Sequence, residues 1–339
     1  MNRLIKKTTY LPIMLGILMS GMIVSCSGDD DWTGTKTIVV HGGDSGKQSG
    51  EGDDTSGDPS NTNSNAKLGA SDAMGYEVPH VRTGSGIRFV SHWANTTTGS
   101  SKTTLNYCFE YDSACYHTRW VAFSFDATTN KRNVSRSDAW SVDSNLPSSW
   151  QLTPDSYSGS GYTRGHLCAS ADRLYSLQAN EQTFYMSNMS PQLYNFNSYY
   201  WAELEAVVRN WGQSGTYNKV YVCKGGTIRE GQRYGGKGYF ETTNSRGKGV
   251  KVVIPKYYFM AILAEKSNSN FQGIAFLLDH KDYGYAGNYP PGSIFKQHAM
   301  SIDELESFTG IDFFCNLKDN LENIVEAPYS ENAWSWNGM

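Results

Sequence analysis

The feature that most constrains this chain is a break in composition. Residues 27–77, which begin SGDDDWTGTKTIVVHGGDSG, are dominated by Gly, Ser, Asp, Asn and Thr and hold hardly an apolar cluster. A stretch of that kind cannot bury enough apolar surface to offset chain entropy, so it is expected to act as a flexible tether. Fifty such residues have a root-mean-square reach of roughly 40 Å. What folds must therefore come from residues 78–339, a length that supports one sizeable core.

Ahead of the tether, MNRLIKKTTYLPIMLGILMSGMIVSC carries Arg3, Lys6 and Lys7, then an apolar run, then Ile23-Val24-Ser25-Cys26. A cationic start, a short hydrophobic centre and a small residue before the cut mark residues 1–26 as a signal peptide. The run is marginal for a bilayer-spanning helix. Its cysteine ending resembles the lipobox of bacterial lipoproteins. That resemblance implies a lipid on Cys26 and an exported protein anchored to the cell envelope, at the outer membrane or cell surface. The SGDDD that follows resembles the acidic surface-export signal of some Gram-negative lipoproteins.

Charge is distributed unevenly between these parts. The formal net charge is −4, and residues 27–77 hold ten acidic against three basic side chains, which leaves residues 78–339 with no net charge. Nucleic-acid binding by bulk electrostatics is excluded for such a domain, and any polyanion must be met by a local site. Cys108, Cys115, Cys168, Cys223 and Cys315 match no zinc-ligand spacing. Export would permit disulfides, with Cys108–Cys115 and Cys168–Cys223 as candidate pairs and one thiol left over.

Within the domain, LNYCFEYD, RWVAFSFD, NKVYVCKGG, GVKVVIP, YYFMAILAEK and GIAFLLD read as strands. NSYYWAELEAVVRNWG has apolar residues at helical spacing, with Asn197 expected as its cap. Trp201 and Glu205 follow at i+4 and i+8, on roughly the face of Asn197. SIDELESFTGI opens on a Ser301–Glu304 capping box and reads as a second helix. Grouped strands with few helices and no βαβ alternation give an α+β class. The glycine-rich KGGTIREGQRYGGKGYF lacks the phosphate-loop pattern and reads as a surface loop, its Lys224, Arg229, Arg233 and Lys237 as scattered solvated cations.

One segment resists a structural reading. GYTRGHLCASADR places Arg164 and His166 on either side of Gly165. Two residues apart on an extended strand, both side chains share a face, and the glycine is expected to supply a tight turn. Phosphodiester cleavage requires those residue types: a neutral imidazole to take a proton from water near its ordinary pKa of about 6.5, and a guanidinium whose fixed donors match phosphate oxygens. Hydrated magnesium would complete the chemistry, needing few protein oxygens and a carboxylate to order its waters.

The pattern resembles the DNA/RNA non-specific endonucleases of the ββα-metal fold. Their Tyr-Asp-Arg-Gly-His-Leu-x-Pro segment reads here as YTRGHLCA, and SNMSPQ and WAELE follow in order. Asn188, Asn197 and Glu205 stand at the family's spacings, and RSDAWSVDSNLP and SIDELESFTGIDFF extend the likeness over most of residues 80–325. The resemblance implies a His-Me finger nuclease with a central antiparallel sheet flanked by helices, acting on DNA and RNA through their phosphates with Mg²⁺ or Mn²⁺. It assigns His166 as general base, Asn197 as the direct metal ligand, and Glu205 with Asn188 to ordering the metal's waters and the catalytic loop. Arg164 would contact phosphate or hold the site's geometry, and Arg136 would stabilise the transition state, although Arg132 lies close by in sequence. Thr163 replaces the usual aspartate, and the proline after the Leu is missing, with Cys168-Ala169 in that stretch. Two rival readings are a catalytically degenerate nucleic-acid-binding lipoprotein and a tyrosine-rich surface adhesin or glycan binder.

Overall fold

The computed structural model describes residues 61–267 and 270–338. The expected signal peptide, Cys26 and residues 27–60 of the tether lie outside the described residues. Among the described residues, no helix is long and apolar enough to cross a membrane.

Among the described residues eleven strands form: β1 Ile87–Asn95, β2 Thr103–Asp112, β3 His117–Phe125, β4 Thr163–His166, β5 Met189–Gln192, β6 Lys219–Gly226, β7 Tyr239–Thr243, β8 Gly249–Val253, β9 Tyr257–Ser267, β10 Asn270–Asp279 and β11 Ala299–Met300. The α-helices are α1 Leu177–Gln182, α2 Ala202–Gln213, α3 Ile302–Thr309 and α4 Asp319–Glu326. Seven strands make one sheet in the order β1-β2-β3-β6-β9-β10-β11, each neighbouring pair antiparallel. The six strands expected from sequence all form.

Both faces of this sheet are covered, and the period of two along each strand divides its side chains between them. Val121, Phe123 and Phe125 of β3 and Met260 and Ile262 of β9 pack with Leu204, Val207, Val208 and Trp211 of α2. On the other face Trp120, Ala122, Phe259 and Leu263 meet Ile302 and Leu305 of α3 and Val325 of α4. All nine residues of β3 are consequently buried. Fully burying a side chain of the Val or Phe class contributes about 1.5–3 kcal/mol, so α2 is fixed to the sheet mainly by its apolar stripe. The α3 capping box forms as expected. Ser301 Oγ accepts from the Glu304 N–H at 3.1 Å, and Glu304 Oε2 accepts from the Ser301 N–H at 2.9 Å.

Two expectations are corrected. The tether does not run to residue 77, because residues 61–77 are built into the domain. Asn65 is fully buried; its amide donates to the carbonyls of Ala73 and Pro79, and its oxygen accepts from the Val81 N–H at 3.0 Å. Ala73 and Val78 join the core on the α3 side. Low apolar content hid this segment, whose attachment runs through asparagine side chains rather than a hydrophobic stripe. Neither expected disulfide forms: all five described cysteines are free and buried. Cys168 sits in the core on the α2 side and Cys223 in the core on the α3 side, so the sheet separates them. Cys115 packs apart from Cys108, with Ile228 and Val253.

Asn65→Ala should destabilise the domain by about 2–3 kcal/mol, because it strands buried partners. The measurement is the urea unfolding midpoint; a shift no larger than that of an exposed control substitution would show that residues 61–77 do not brace the fold.

Candidate active site

The site begins with a two-stranded ribbon. β4 pairs antiparallel with β5, with Arg164 opposite Pro191, Gly165 opposite Ser190 and His166 opposite Met189. The ribbon leads into a helix that opens at Tyr194, widens into a π-helical turn, Phe196–Trp201, and continues as α2. Strand, strand and helix thus follow one another around a cleft of about 420 Å³. Arg136, Trp140, Thr163, Arg164, His166, Asn197, Glu205, Arg209 and Tyr289 contribute to its walls.

Gly165 does not provide a turn. It lies within β4, and a Cβ there would stand 2.0 Å from Gln192 Oε1. The glycine makes room for a buried side chain of the partner strand, and the extended backbone on either side sends Arg164 and His166 into the cleft together. β5 is pinned from behind: Ser190 Oγ lies 2.7 Å from His117 Nε2 and 2.6 Å from the Tyr258 hydroxyl, which donates to the Pro191 carbonyl at 2.8 Å.

His166 packs between aromatic rings, 5.4 Å from Trp140 and 4.9 Å from Phe184. Its Nε2 is buried without a hydrogen-bond partner, which in a native interior calls for an explanation such as catalysis. Burial first, then the charges of Arg136, Lys224 and Arg164, push its pKa from the ordinary 6.5 down to about 3. Arg164 lays its guanidinium over the Trp140 ring, 4.0 Å from the centroid. Arg136 projects over Phe184 and bonds Asp138 at 2.8 Å. Arg136 lines the cleft and Arg132 does not, which favours Arg136 of the two.

Asn197 is not a helix cap. It lies inside the π-helical turn, its N–H donating to the Leu193 carbonyl. Such widened turns concentrate at functional sites. The wide turn also changes the phase of the helix, so Trp201 goes fully into the core while Asn197 and Glu205 face the cleft. Thr163, which stands where the family has aspartate, accepts from Asn197 Nδ2 at 3.1 Å and donates to the Gln192 carbonyl at 2.9 Å. The amide nitrogen is thereby engaged, leaving Asn197 Oδ1 without a donor among the described residues. A cleft-facing amide oxygen with a nearby carboxylate suits a hydrated hard cation, so the residues present fit the metal that the fold implies.

Asn188 is fully buried and outside the cleft wall, a position that suits the loop-ordering part of its expected role. Its oxygen accepts from the Cys168 N–H at 2.7 Å, and its amide donates to the carbonyls of Cys168 and Thr183. These bonds fix the backbone just after His166, where the family's proline is missing.

Lys224 is the residue that sequence reading misplaced. It is almost fully buried near the end of β6, and its Nζ reaches Glu205 Oε1 at 2.6 Å and Asp172 Oδ2 at 3.9 Å. Arg209, one turn beyond Glu205, bonds Asp172 at 2.7 Å. Burial raises the Glu205 pKa, and the Lys224 charge opposes that rise. The hint available in the sequence was position: Lys224 continues the apolar run VYVC of a central strand, where a solvated lysine has no place.

With this geometry in place, the relatives are informative. Residues 91–320 match the DNA/RNA non-specific endonuclease family. The chain belongs to that family. It is 29% identical over 225 residues to a protein of Nostoc sp. named Nuclease, covering 65% of this chain and 75% of that one. It is 31% identical to Nuclease C1 of Cunninghamella echinulata, covering 52% of this chain and 66% of the relative. It is 28% identical to bovine mitochondrial Endonuclease G, covering 58% and 64%. The chain thus spans under two thirds of that last relative's length. A solved structure from the EndoG/EndoGI complex superposes with a TM-score of 0.50 at 23% identity, covering 66% of this chain and 87% of that one. The shared element is the fold: a central antiparallel sheet with the ββα-metal motif beside it.

A general base must be neutral to accept a proton, so activity is lost as pH falls through its pKa. With His166 as the expected base, its imidazole held near 3 rather than 6.5, the acid limb of kcat/KM, which reports the free enzyme, should lie well below pH 6. A break at about 6.5 would show that the ring is not kept neutral by its surroundings.

Proposed function

We propose that this nuclease hydrolyses the phosphodiester bonds of DNA and RNA with little sequence preference, using Mg²⁺ or Mn²⁺. What carries the reading is the convergence, in one cleft, of an unpartnered imidazole, the guanidinium groups of Arg136 and Arg164 and a free amide oxygen. His166 takes the proton of the attacking water as its oxygen bonds to phosphorus and the opposite P–O ester bond breaks. Arg164, steadied on Trp140, binds a phosphate oxygen and orients the diester. Arg136 is placed to meet the charge that grows on phosphorus. A divalent ion held directly by Asn197 Oδ1, its waters ordered by Glu205, would supply Lewis-acid stabilisation of the leaving oxygen. Each of these groups addresses phosphate rather than a base edge, which is why little sequence preference is expected. The leader ending at Cys26 supports an exported, lipid-anchored placement of this activity.

The test is cleavage of plasmid and of RNA by the purified chain, with and without EDTA. Both should be cut, and chelation should stop both until Mg²⁺ or Mn²⁺ is restored. His166→Ala should cost roughly 10²–10⁴ in rate with the fold intact; a folded variant cutting near the wild-type rate would refute the mechanism. Asn197→Ala should raise the Mg²⁺ concentration needed for half-maximal activity while leaving the unfolding midpoint close to that of wild type. Equal metal dependence in the two proteins would remove Asn197 from the metal. Cys26→Ser should release the protein from the membrane fraction, and retention with correct processing would end the lipid-anchor reading.

A further inference from the structure

We propose that Tyr289, Tyr199 and Tyr194 form a stacking track for unpaired nucleobases leading out of the cleft, so that single-stranded nucleic acid is the preferred substrate. This inference rests on the phosphodiesterase reading above and adds a substrate class to it. Tyr289 lines the cleft and is 49% exposed. The Tyr199 ring lies 5.9 Å from it, and the Tyr194 ring, 61% exposed, lies 6.2 Å beyond Tyr199. Tyr194 and Tyr199 flank Asn197 in sequence, so the track leaves the cleft at the turn that carries the proposed metal ligand.

Three features point to bases rather than to a packed cluster. The rings are inclined to one another by 59° and 81°, edge toward face rather than face on face, and the exposed surfaces of Tyr194 and Tyr289 stay open to a ligand. Their separation exceeds the roughly 3.4 Å rise of stacked bases along one strand of a duplex, which suits a strand with its bases splayed apart. The loop that carries Tyr289 is braced by other contacts. Tyr283 stacks on Tyr200 at 3.8 Å between centroids, nearly parallel, and Asp282 accepts from Asn195 Nδ2 at 2.7 Å. Tyr199 also hydrogen-bonds Tyr194 and the Gly287 backbone of that loop, so of the three rings Tyr194 and Tyr289 are the ones left over from bracing. Duplex DNA conceals its base faces, whereas an unpaired strand presents them, and aromatic stacking accepts any base.

The experiment compares kcat/KM for one oligonucleotide sequence, single-stranded and as a duplex, in the wild type, a Tyr194→Ala/Tyr199→Ala variant and the corresponding Phe variant. Wild type should prefer the single strand. The Ala variant should lose about tenfold or more of that preference through a raised KM for the single strand, and the Phe variant should keep it. A wild type that prefers the duplex, or an Ala variant whose single-strand and duplex values fall equally or not at all, overturns the track. A wild type that cuts neither form with Mg²⁺ or Mn²⁺ present instead sinks the nuclease reading on which the track depends.

Discussion

The site depends on a cluster of four charges, two of them buried (Asp172 and Lys224) and two at the cleft wall (Glu205 and Arg209). Asp172 pairs with Arg209, Lys224 pairs with Glu205, and Lys224 also approaches Asp172. Three elements meet there: the 3₁₀ turn Ser170–Asp172 shortly after His166, the central strand β6, and α2. Two charges of each sign balance locally, so the cluster is tolerable only complete. Removing one partner would leave an uncompensated buried charge, a change that commonly costs 3–5 kcal/mol. The sheet, the helix and the histidine-bearing segment are thereby locked in one arrangement. The same lysine contributes to the field that keeps His166 neutral, so the constraint that fixes the geometry also helps set the protonation state.

The ribbon of β4 and β5 hangs from this frame rather than forming part of the main sheet. A two-stranded ribbon is marginal by itself, and here it is held by buried polar contacts. His117 and Tyr258 grip Ser190 from behind, Asn188 ties down the backbone at Cys168, and Gln192 fills the space that Gly165 leaves open. Thr163 then connects the ribbon to the π-helical turn through Asn197. Positioning by hydrogen bonds is directional, and it aligns the imidazole and the amide oxygen more tightly than apolar packing would. It also explains how the chain does without the family's aspartate and proline: a hydroxyl orients the Asn197 amide, and an asparagine bridges the loop.

Much of this was legible in the sequence. Period-two runs of Val, Phe, Tyr and Ile predicted six strands of the sheet or its flanking hairpin, and the Ser301–Glu304 box predicted the start of α3. The motif order placed His166, Arg164, Arg136, Asn197 and Glu205 around one cleft. What the sequence concealed were features set by tertiary contact. β1, IRFVSHWAN, mixes polar and apolar residues because it buries Ser91 and His92 beside the aromatics. Residues 61–77 look like linker, since asparagine attachment leaves no hydrophobic signature. Gly165 reads as a turn residue until the depth of Gln192 is known. Lys224 reads as solvated, because nothing local marks its two carboxylate partners, which lie 19 and 52 residues upstream.

Charge bookkeeping at the cleft gives the substrate reading its physical basis. Arg136, Arg164 and Arg209 supply three cations to the cleft walls, two of them with carboxylate partners in Asp138 and Asp172, while the buried Lys224 behind them is paired with Glu205. Among the described residues, Arg164 is the one cleft cation with a ring rather than a carboxylate beneath it. With residues 78–339 carrying no net charge, long-range attraction of a polyanion is weak, and at physiological salt it is screened beyond about 8 Å. Phosphate contacts alone would therefore position a strand without holding it firmly. A contact that does not rely on charge is needed to keep the strand in register with His166. The exposed rings of Tyr194 and Tyr289 beside the cleft supply one, and because every base has a face to offer, they add grip without adding sequence preference.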